Sequence, residues 1–278
     1  MEFVFHRGEY ILRNQATIQV DDRAHRFGDG FFESIRIANG KAQFLKNHFG
    51  RISASIQVLK MKSASFDFLQ LEKDIQGLLD RNQIHEGGRM RITFYRKSKG
   101  FYLPKDHELD YFIEVEAIPN NQFELNPAGK TIDIYTEVKK DPNRFANFKT
   151  LNAQLYIMAS IFADEKNWDD ALIQNTKLAI IEATASNLFL VSNGVLYTPA
   201  LTDGCVGGTM RMTIINLALA NKLKVYECTI NPQNLLTADE VFLTNAIRGV
   251  EWVSSYRTKP YQNQVSSRFI QLLNQSLI

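Results

Sequence analysis

Phe148-Lys149-Thr150-Leu151-Asn152 is the stretch from which the fold of this chain can be worked out. It follows an extended segment and opens a run of apolar residues at helical spacing, namely Leu151, Leu155, Met158 and Phe162. The sequence therefore predicts that Lys149 lies at the start of a helix. A second stretch, residues 181–189, places Glu182 at the end of an apolar run, before a turn of small residues and another strand. Each charge alone is typical of a solvated surface, so the rest of the chain decides whether they act together.

The composition indicates a globular protein of one large or two medium domains. Of its 278 residues, 45% are hydrophobic and 22% are charged, which is ordinary for folded proteins. The formal net charge of +2 gives no reason to expect a nucleic-acid partner. The two cysteines form no CxxC pair, which favours a reducing compartment. Neither a signal peptide nor a membrane-spanning apolar run is evident, so we expect a cytoplasmic protein with no membrane partner.

Hydrophobic patterning divides the chain into two halves that both mix strands with helices. We expect an N-terminal α/β domain over residues 1–117, a linker rich in Pro and Asn over 118–129, and a C-terminal domain over 130–278. Asn39-Gly40 predicts a hairpin turn in the first half. The other elements predicted there are helices at 46–60 and 68–81 and strands at 89–96 and 110–117.

In the second half the sequence predicts a less regular alternation of strands and helices. Strands are predicted at 170–174, 178–181, 188–191, 195–198, 223–228 and 240–244. A helix is predicted at 209–220, and a terminal helix has Val265, Phe269 and Leu272 on one face.

The sequence excludes two nucleotide-binding motifs and leaves one loop open to two interpretations. It contains neither GxGxxG nor the P-loop pattern, and its five histidines have no metal-ligand spacing. The Gly207-Gly208 loop opens the predicted helix at 209–220. Small residues let backbone N–H groups approach an anion at a helix N-terminus, so a phosphate site is reasonable there. On this loop alone, an ordinary connection before a helix is the commoner interpretation.

Seven motifs along the chain carry a resemblance to one enzyme family. They are Asp22-Arg23, Phe27-Gly28-Asp29-Gly30-Phe31-Phe32-Glu33, residues 48–51, Lys149-Thr150-Leu151-Asn152, Glu182, Ser186-Asn187-Leu188-Phe189 and Gly208-Thr209-Met210-Arg211. In this order they resemble the class IV aminotransferases, the fold-type IV group of pyridoxal-phosphate (PLP) enzymes. That group includes branched-chain aminotransferases, D-amino-acid aminotransferases and aminodeoxychorismate lyases. The resemblance implies a two-domain α/β (α+β) fold with PLP in the interdomain cleft. It also implies a small-molecule amino substrate and a homodimer.

The resemblance assigns roles to the motif residues, and PLP chemistry requires residues of these types. Lys149 would hold PLP covalently and move the proton at the substrate carbon that bears the amino group. Glu182 would lie against the pyridine nitrogen and keep it protonated. Arg51 would bind the phosphate, together with the backbone amides at Gly208 and Thr209. The other residues implied to line the cofactor are Ser186, Asn187, Met210, Asn245 and Ala246.

Departures from the aminotransferase pattern bear on the reaction. Met210, Asn245 and Ser34 resemble the lyases, whereas Ala153 fits neither group well. Thr209 is a candidate to supply the phosphate hydroxyl in place of Met210. The residues implied to contact substrate are Phe27, Phe32, Ser34, Arg91 and Arg96. The sequence does not distinguish which of the two arginines binds a substrate carboxylate.

These observations favour a PLP-dependent 4-amino-4-deoxychorismate lyase, which releases pyruvate and forms 4-aminobenzoate for folate biosynthesis. The alternative is an aminotransferase that passes amino groups from branched-chain or D-amino acids to 2-oxoglutarate. A remote alternative is a PLP-fold protein kept for binding without catalysis. The presence of Lys149, Glu182 and Arg51 argues against it, because binding alone has no need for all three.

Overall fold

The computed structural model describes residues 2–62 and 66–278 and divides into two compact units. The N-terminal unit comprises Met1–Gln122, Phe148–Asn152 and Leu277–Ile278, and the C-terminal unit comprises Phe123–Asn147 and Ala153–Ser276. The boundary at Gln122 and Phe123 lies within the stretch 118–129 that the sequence suggests as a linker. Lys149 belongs to the N-terminal unit, although the sequence analysis places it among residues 130–278.

The N-terminal unit is an antiparallel sheet with two helices against one face. Its strands are β1 (Phe3–His6), β2 (Glu9–Leu12), β3 (Gly30–Ala38), β4 (Lys41–Ala42), β5 (Gly88–Arg96) and β6 (Leu109–Ala117). Its helices are α1 (Arg23–Phe27), α2 (Leu45–Val58) and α3 (Phe68–Arg81). The strand order is β2-β1-β6-β5-β3-β4, with every neighbouring pair antiparallel.

The alternation along β3 sorts its side chains between the two faces of the sheet. Phe31, Ile35 and Ile37 are buried in the core that α2 and α3 share with the sheet. The residues between them, Phe32 and Ser34, are half-buried on the opposite face. The predicted hairpin after β3 is present, with Asn39 and Gly40 at φ 51° and 67°. Positive φ at both positions is the geometry that makes Asn-Gly a favoured two-residue turn.

The C-terminal unit is built on a nine-stranded sheet. Its strands are β7 (Lys130–Ile134), β8 (Asp170–Gln174), β9 (Ile180–Ala183), β10 (Asn187–Ser192), β11 (Val195–Pro199), β12 (Val225–Cys228), β13 (Glu240–Asn245), β14 (Gly249–Tyr256) and β15 (Lys259–Pro260). Its helices are α4 (Gln154–Glu165), α5 (Thr209–Ala220), α6 (Pro232–Thr237) and α7 (Gln264–Gln275).

Strands of this unit pair in a closed ring. The strand order is β12-β11-β10-β13-β14-β7-β8-β9, and β9 also pairs with β10. The closing pair joins Glu182 on β9 to Asn187 on β10. The turn between β9 and β10 therefore brings two of the sequence-predicted site residues side by side. In the described part of the chain, no helix is both long and apolar enough to span a membrane.

The prediction that Lys149 lies at the start of a helix is wrong. The helix α4 begins at Gln154, and Lys149 lies in the irregular segment before it, next to the bridge residue Thr150. The reason is tertiary: Thr150 forms an antiparallel bridge with Phe31, so the backbone of this segment pairs with β3 instead of coiling. The predicted apolar stripe also changes, because Leu151 precedes the helix. The buried residues of α4 are Ala159 and Ala163, and Met158 is 37% exposed.

Several other boundaries differ from the sequence prediction. The strand predicted at 178–181 forms at Ile180–Ala183, because Leu178 adopts a turn conformation with φ 66°. The terminal helix buries Ser266, Phe269, Ile270 and Leu273, a face rotated from the predicted one. The helices α1 and α6 and the strands β14 and β15 are not predicted from the sequence.

Candidate active site

Lys149 is held by backbone hydrogen bonds on both sides. The Phe32 N–H donates to the Lys149 carbonyl at 2.9 Å, and the Leu151 N–H donates to the Gly30 carbonyl at 3.0 Å. The lysine side chain is half-buried, and its Nζ lies 4.3 Å from the centre of the Phe32 ring. An amine on a backbone fixed in this way has a defined origin and direction.

Two more predicted residues, Ser34 and Arg91, lie on the same face of the sheet as this ring. Arg91 places its guanidinium carbon 3.8 Å from the centre of the Phe32 ring. On the neighbouring strands, Ser34 pairs with Arg91 and Phe32 pairs with Thr93. Cross-strand partners point to the same face of a sheet. Arg91, the hydroxyls of Ser34 and Thr93 and the Phe32 ring therefore share one face of the sheet, and the Lys149 amine lies against that ring.

The two candidate substrate arginines have different surroundings. Arg91 is partly exposed, and its Nε lies 4.0 Å from a Glu114 carboxylate oxygen and 3.3 Å from Thr93 Oγ1. Burial lowers the pKa of the Arg91 guanidinium; the charge of Glu114 opposes this effect, and that of Arg89 adds to it. A partly buried guanidinium with a carboxylate only at 4.0 Å is suited to bind an anion.

Arg96, by contrast, is bonded within the fold. Its side chain is 7% exposed, and Nε lies 3.0 Å from Asp29 Oδ2. Nη2 donates to the Leu59 carbonyl at 2.8 Å, and Nη1 lies 2.8 Å from His107 Nδ1. These bonds tie β5 to the end of α2. Of the two arginines, we retain Arg91 as the candidate for substrate binding.

Arg51 forms a buried ion pair on the helix-facing side of β3. Its Nε and Nη2 lie 2.7 and 2.6 Å from the two carboxylate oxygens of Glu33, and His48 Nδ1 lies 2.6 Å from the same carboxylate. Burial by itself would raise the pKa of the Glu33 carboxyl, but Arg51 and His48 outweigh burial and lower it to about 2. Glu33 therefore remains ionised and orients the Arg51 guanidinium.

Phe27 lies at the end of α1 and packs against a loop. Its ring centre is 5.6 Å from that of Tyr102 and 5.1 Å from the guanidinium carbon of Arg23. Arg23 in turn donates to backbone carbonyls of Gly100 and Tyr102. Among the described contacts, Phe27 serves to shape this loop.

In the C-terminal unit, Glu182 is buried and hydrogen-bonded at both carboxylate oxygens. Oε1 accepts from Lys140 Nζ at 2.7 Å and from Tyr156 Oη at 2.9 Å. Oε2 accepts from the Val206 N–H at 2.7 Å. A carboxylate oxygen has two lone pairs, so Oε2 can accept one more hydrogen bond. Glu182 is therefore fixed in place and can still receive a donor.

The loop before α5 is packed against Asn187. The Asn187 Nδ2 donates to the Val206 carbonyl at 2.7 Å, and a Cβ at Gly208 would overlap with Asn187 Oδ1. Glycine is therefore required at 208 for this packing. The helix begins at Thr209, whose backbone N–H, like that of Met210, has no intrahelical acceptor. This helix start is a place where backbone amides can bind an anion.

The remaining predicted cofactor residues surround this loop in different ways. Ser186 Oγ accepts from Asn245 Nδ2 at 2.9 Å. Asn245 Oδ1 accepts from two backbone N–H groups, at residues 247 and 248, and so holds the turn after β13, which includes the half-buried Ala246. Met210 is buried in the C-terminal unit, and Thr209 is 3% exposed. Ser186 and Asn245 are therefore bonded to each other, while Thr209 stands at the helix start.

Sequence reasoning missed four residues of these clusters. Lys140 lies in Lys139-Lys140-Asp141, which is typical of a solvated charge run, and Tyr156 occupies an ordinary helical position. For these two the sequence carried no signal. Glu33 and His48 lie within quoted motifs, and an acid among the apolar residues of a buried strand requires a cation nearby. That signal could have shown that Glu33 is buried beside a cation, although not which residue supplies the cation. Over residues 2–62 and 66–278, no group of His, Cys, Asp and Glu could hold a metal ion.

Comparison with known proteins gives consistent matches over most of the chain. The sequence model of a family described as amino-transferase class IV matches residues 30–256. A D-alanine aminotransferase of Bacillus licheniformis is 27% identical over 254 residues, covering 91% of this chain and 87% of that protein.

Two solved structures extend the comparison. The branched-chain amino acid aminotransferase of Escherichia coli superposes with a TM-score of 0.88 at 21% identity, over 98% of this chain and 93% of that one, and so shares the fold. A protein of Legionella pneumophila, provisionally assigned as a 4-amino-4-deoxychorismate lyase, superposes with a TM-score of 0.81 at 26% identity. That alignment covers 95% of this chain and 97% of the other.

Proposed function

This chain belongs to the class IV aminotransferase family, and from that premise we propose that it is a 4-amino-4-deoxychorismate lyase. It is a PLP-dependent enzyme, as the family and its aminotransferase relatives indicate. Its fold is that of fold-type IV aminotransferases. The reaction and the roles of individual residues are our proposals.

The residues of the C-terminal unit fit PLP. Glu182 offers a buried carboxylate with room for one more donor on Oε2, which suits a protonated ring nitrogen. The start of α5 offers backbone amides for the phosphate, beside a glycine that no other residue could replace without displacing Asn187.

The residues of the N-terminal unit supply the amine and an additional phosphate donor. Lys149 would bind the cofactor and then carry the proton at the amino-bearing carbon of the substrate. Arg51, oriented by Glu33, would contribute a charge-assisted bond to the phosphate. When bound, PLP would draw electrons away from the substrate carbon that bears the amino group, so that the proton on this carbon could be removed.

The pairing of Ser34 with Arg91, beside Lys149 and Phe32, is the observation that carries the lyase proposal. The enolpyruvyl group of the substrate ends in a carboxylate and leaves through an ether oxygen. Arg91 can bind that carboxylate, and the Ser34 hydroxyl can donate to the ether oxygen as its bond to carbon breaks. Lys149 removes the proton at the ring carbon that bears the amino group, next to the carbon that carries the ether oxygen. The ring becomes aromatic, and the released enol becomes pyruvate by taking up a proton on its terminal carbon and losing the proton of its hydroxyl.

An aminotransferase is the second candidate, and two observations favour it. D-alanine aminotransferases match most of the chain. Asn245 is engaged with Ser186 and with backbone, and Met210 is buried, so neither of these lyase-like residues supports a particular substrate. Arg91 would bind the carboxylate of an amino acid equally well.

The deciding experiment supplies 4-amino-4-deoxychorismate, generated enzymatically, without any keto acid. We expect pyruvate and 4-aminobenzoate in equal amounts. In parallel, D-alanine, L-leucine and other amino acids are offered with 2-oxoglutarate, and glutamate is measured. Rapid glutamate formation without 4-aminobenzoate would overturn the lyase proposal in favour of the aminotransferase.

The Ser34→Ala variant tests the role of the hydroxyl. We expect a lower rate of pyruvate release with the cofactor still bound. A threonine at this position keeps the hydroxyl, so Ser34→Thr is the matched control and should retain most of the activity.

We also propose that the enzyme is a homodimer, which the family resemblance implies. The helix α4 supports this, because it exposes Ile157, Met158 and Ile161 by 51%, 37% and 46%. Three large apolar side chains on one short helix are unusual on a monomer surface and typical of an interface.

A further inference from the structure

The Lys140 side chain lies beside Glu182 with every ammonium proton engaged. Its Nζ donates to Glu182 Oε1 at 2.7 Å, to the Ala146 carbonyl at 2.8 Å and to Tyr156 Oη at 2.8 Å. The lysine side chain is only 12% exposed and that of Glu182 only 3%. An ammonium has three donors, so this geometry leaves it no freedom to turn away. The Lys140–Glu182 ion pair is therefore fixed within the folded C-terminal unit.

Tyr156 completes the cluster as a neutral donor. Its hydroxyl lies 2.9 Å from Glu182 Oε1. Burial, followed by the negative charge of Glu182, raises the pKa of the Tyr156 hydroxyl. The tyrosine therefore adds a hydrogen bond to the carboxylate without changing its charge, and Lys140 supplies the positive charge.

We propose that Lys140 is a permanent counter-cation of Glu182 that weakens the hold of this carboxylate on the proton of the PLP ring nitrogen. The inference rests on the role proposed for Glu182 above. Lys140 is a positioning residue, because it acts on the cofactor through Glu182.

The physical argument is that two cations share one carboxylate. Without Lys140, a protonated ring nitrogen would be the sole positive partner of a buried negative charge and would be bound strongly. With Lys140 in place, part of the carboxylate charge is already compensated, and the second cation gains less. The same ion pair avoids an unpaired buried carboxylate whenever the cofactor is not bound.

The test compares Lys140→Met with Lys139→Met. Lys139 is the matched control because it precedes Lys140 directly and donates to Gln174 Oε1 at 2.8 Å instead of to Glu182. Each protein is loaded with PLP labelled with ¹⁵N in the ring, and the ¹⁵N chemical shift is followed against pH. We expect the pH at which the ring nitrogen loses its proton to rise by about one pH unit or more in Lys140→Met. Lys139→Met and Lys140→Arg, which keeps the charge, should titrate as the wild type does.

A second measurement uses thermal unfolding with and without PLP. In Lys140→Met the cofactor becomes the main partner of Glu182, so added PLP should raise the melting temperature more than it does in the wild type. A purely structural Lys140 would lower both melting temperatures equally and leave the ¹⁵N titration unchanged, which would overturn the proposal.

Three further measurements cover the case in which Lys140→Met does not fold and test the two proposed roles separately. If Lys140→Met does not fold, Lys140→Gln keeps a donor toward Glu182 and carries the same expectation. The wild-type protein alone is also informative: a ring nitrogen that stays protonated beyond about pH 10 would contradict a weakened hold. None of these measurements uses a substrate, so they stand apart from the lyase assay. A Glu182→Gln variant with an unchanged ¹⁵N shift would instead refute the role proposed for Glu182.

Discussion

Lys149 is the residue on which the proposed chemistry depends. We expect Lys149→Ala to fold, because the segment is held by backbone hydrogen bonds at Phe32 and Gly30 that the substitution keeps. Turnover should fall by several orders of magnitude, since the amine that holds the cofactor and moves the proton is lost. We expect the wild-type protein to be yellow, and borohydride treatment should fix the cofactor on the peptide that contains Lys149. Fixation on another lysine would contradict the assignment, and Lys139→Ala is the matched control.

At the same scale, Arg51→Ala should weaken PLP binding. The phosphate would lose a charge-assisted hydrogen bond worth roughly 1.5–3 kcal/mol. The Glu33 carboxylate would also lose its bidentate partner, so part of the effect would be on stability. Fluorescence titration of the apoprotein with PLP separates the two, since it reports affinity on the folded protein. Unchanged affinity would show that Arg51 serves only the fold.

The pKa of Glu33 makes a prediction about acid stability. The carboxyl has a pKa of about 2 in the folded chain and an ordinary value of 4.5. A lowered pKa contributes stability above pH 4.5 that is lost as the pH falls toward 2, because the unfolded chain takes up the proton first. The contribution is on the order of 3 kcal/mol. Urea unfolding of wild type and Glu33→Gln, compared at about pH 5 and pH 3, should show the smaller pH dependence in the variant.

Residues that stand in local motifs could be predicted from the sequence, whereas contacts between distant parts of the chain could not. Lys149 and Glu182 stand in local motifs whose order along the chain is itself informative. The alternation of β3 also shows that Glu33 points into the core. Its partner Arg51 could not be assigned, because the pairing depends on how α2 packs across the sheet. Lys140 reaches Glu182 from 42 residues away, a contact that no local pattern encodes.

At the scale of elements, the start of α5 depends on a glycine. A Cβ at Gly208 would overlap with Asn187 Oδ1, so Gly208→Ala should displace Asn187 and disturb its bond to Val206. We expect a loss of about 1–3 kcal/mol in the free energy of unfolding and weaker PLP binding. Gly207→Ala is the matched control, because its nearest contacts would be an ordinary 3.5 and 3.9 Å. Equal effects of the two substitutions, measured by urea unfolding and PLP titration, would refute the packing argument.

The elements also show where patterns along the chain suffice. The helix predicted at 209–220 has those bounds in the structure, since a glycine pair precedes it and its residues include neither Gly nor Pro. The start of α4 was predicted too early in the chain. Thr150 forms a bridge with Phe31 on β3, and this long-range pairing outweighs the helical spacing of the local sequence.

At the scale of the whole molecule, the exposed face of α4 predicts self-association. Replacing Ile157 and Ile161 with Glu should shift the protein from dimer to monomer, because charges would be buried in the interface. Sedimentation velocity measures the change. Leu236→Glu, at a side chain that is 53% exposed on α6, is the control and should leave the dimer intact. A wild-type protein that sediments as a monomer would remove the dimer proposal.

The membership of Phe148–Asn152 in the N-terminal unit has a consequence for biosynthesis. One edge of β3 near Phe31 has no neighbour until residues 148–152 have left the ribosome, by which time the first 25 residues of the C-terminal unit have already emerged. The N-terminal unit therefore cannot mature in simple N-to-C order, although domains commonly do. During translation the Gly30–Phe32 edge is an open strand that other chains could pair with. The segment that carries the proposed catalytic lysine is thus also the one that closes this edge of β3.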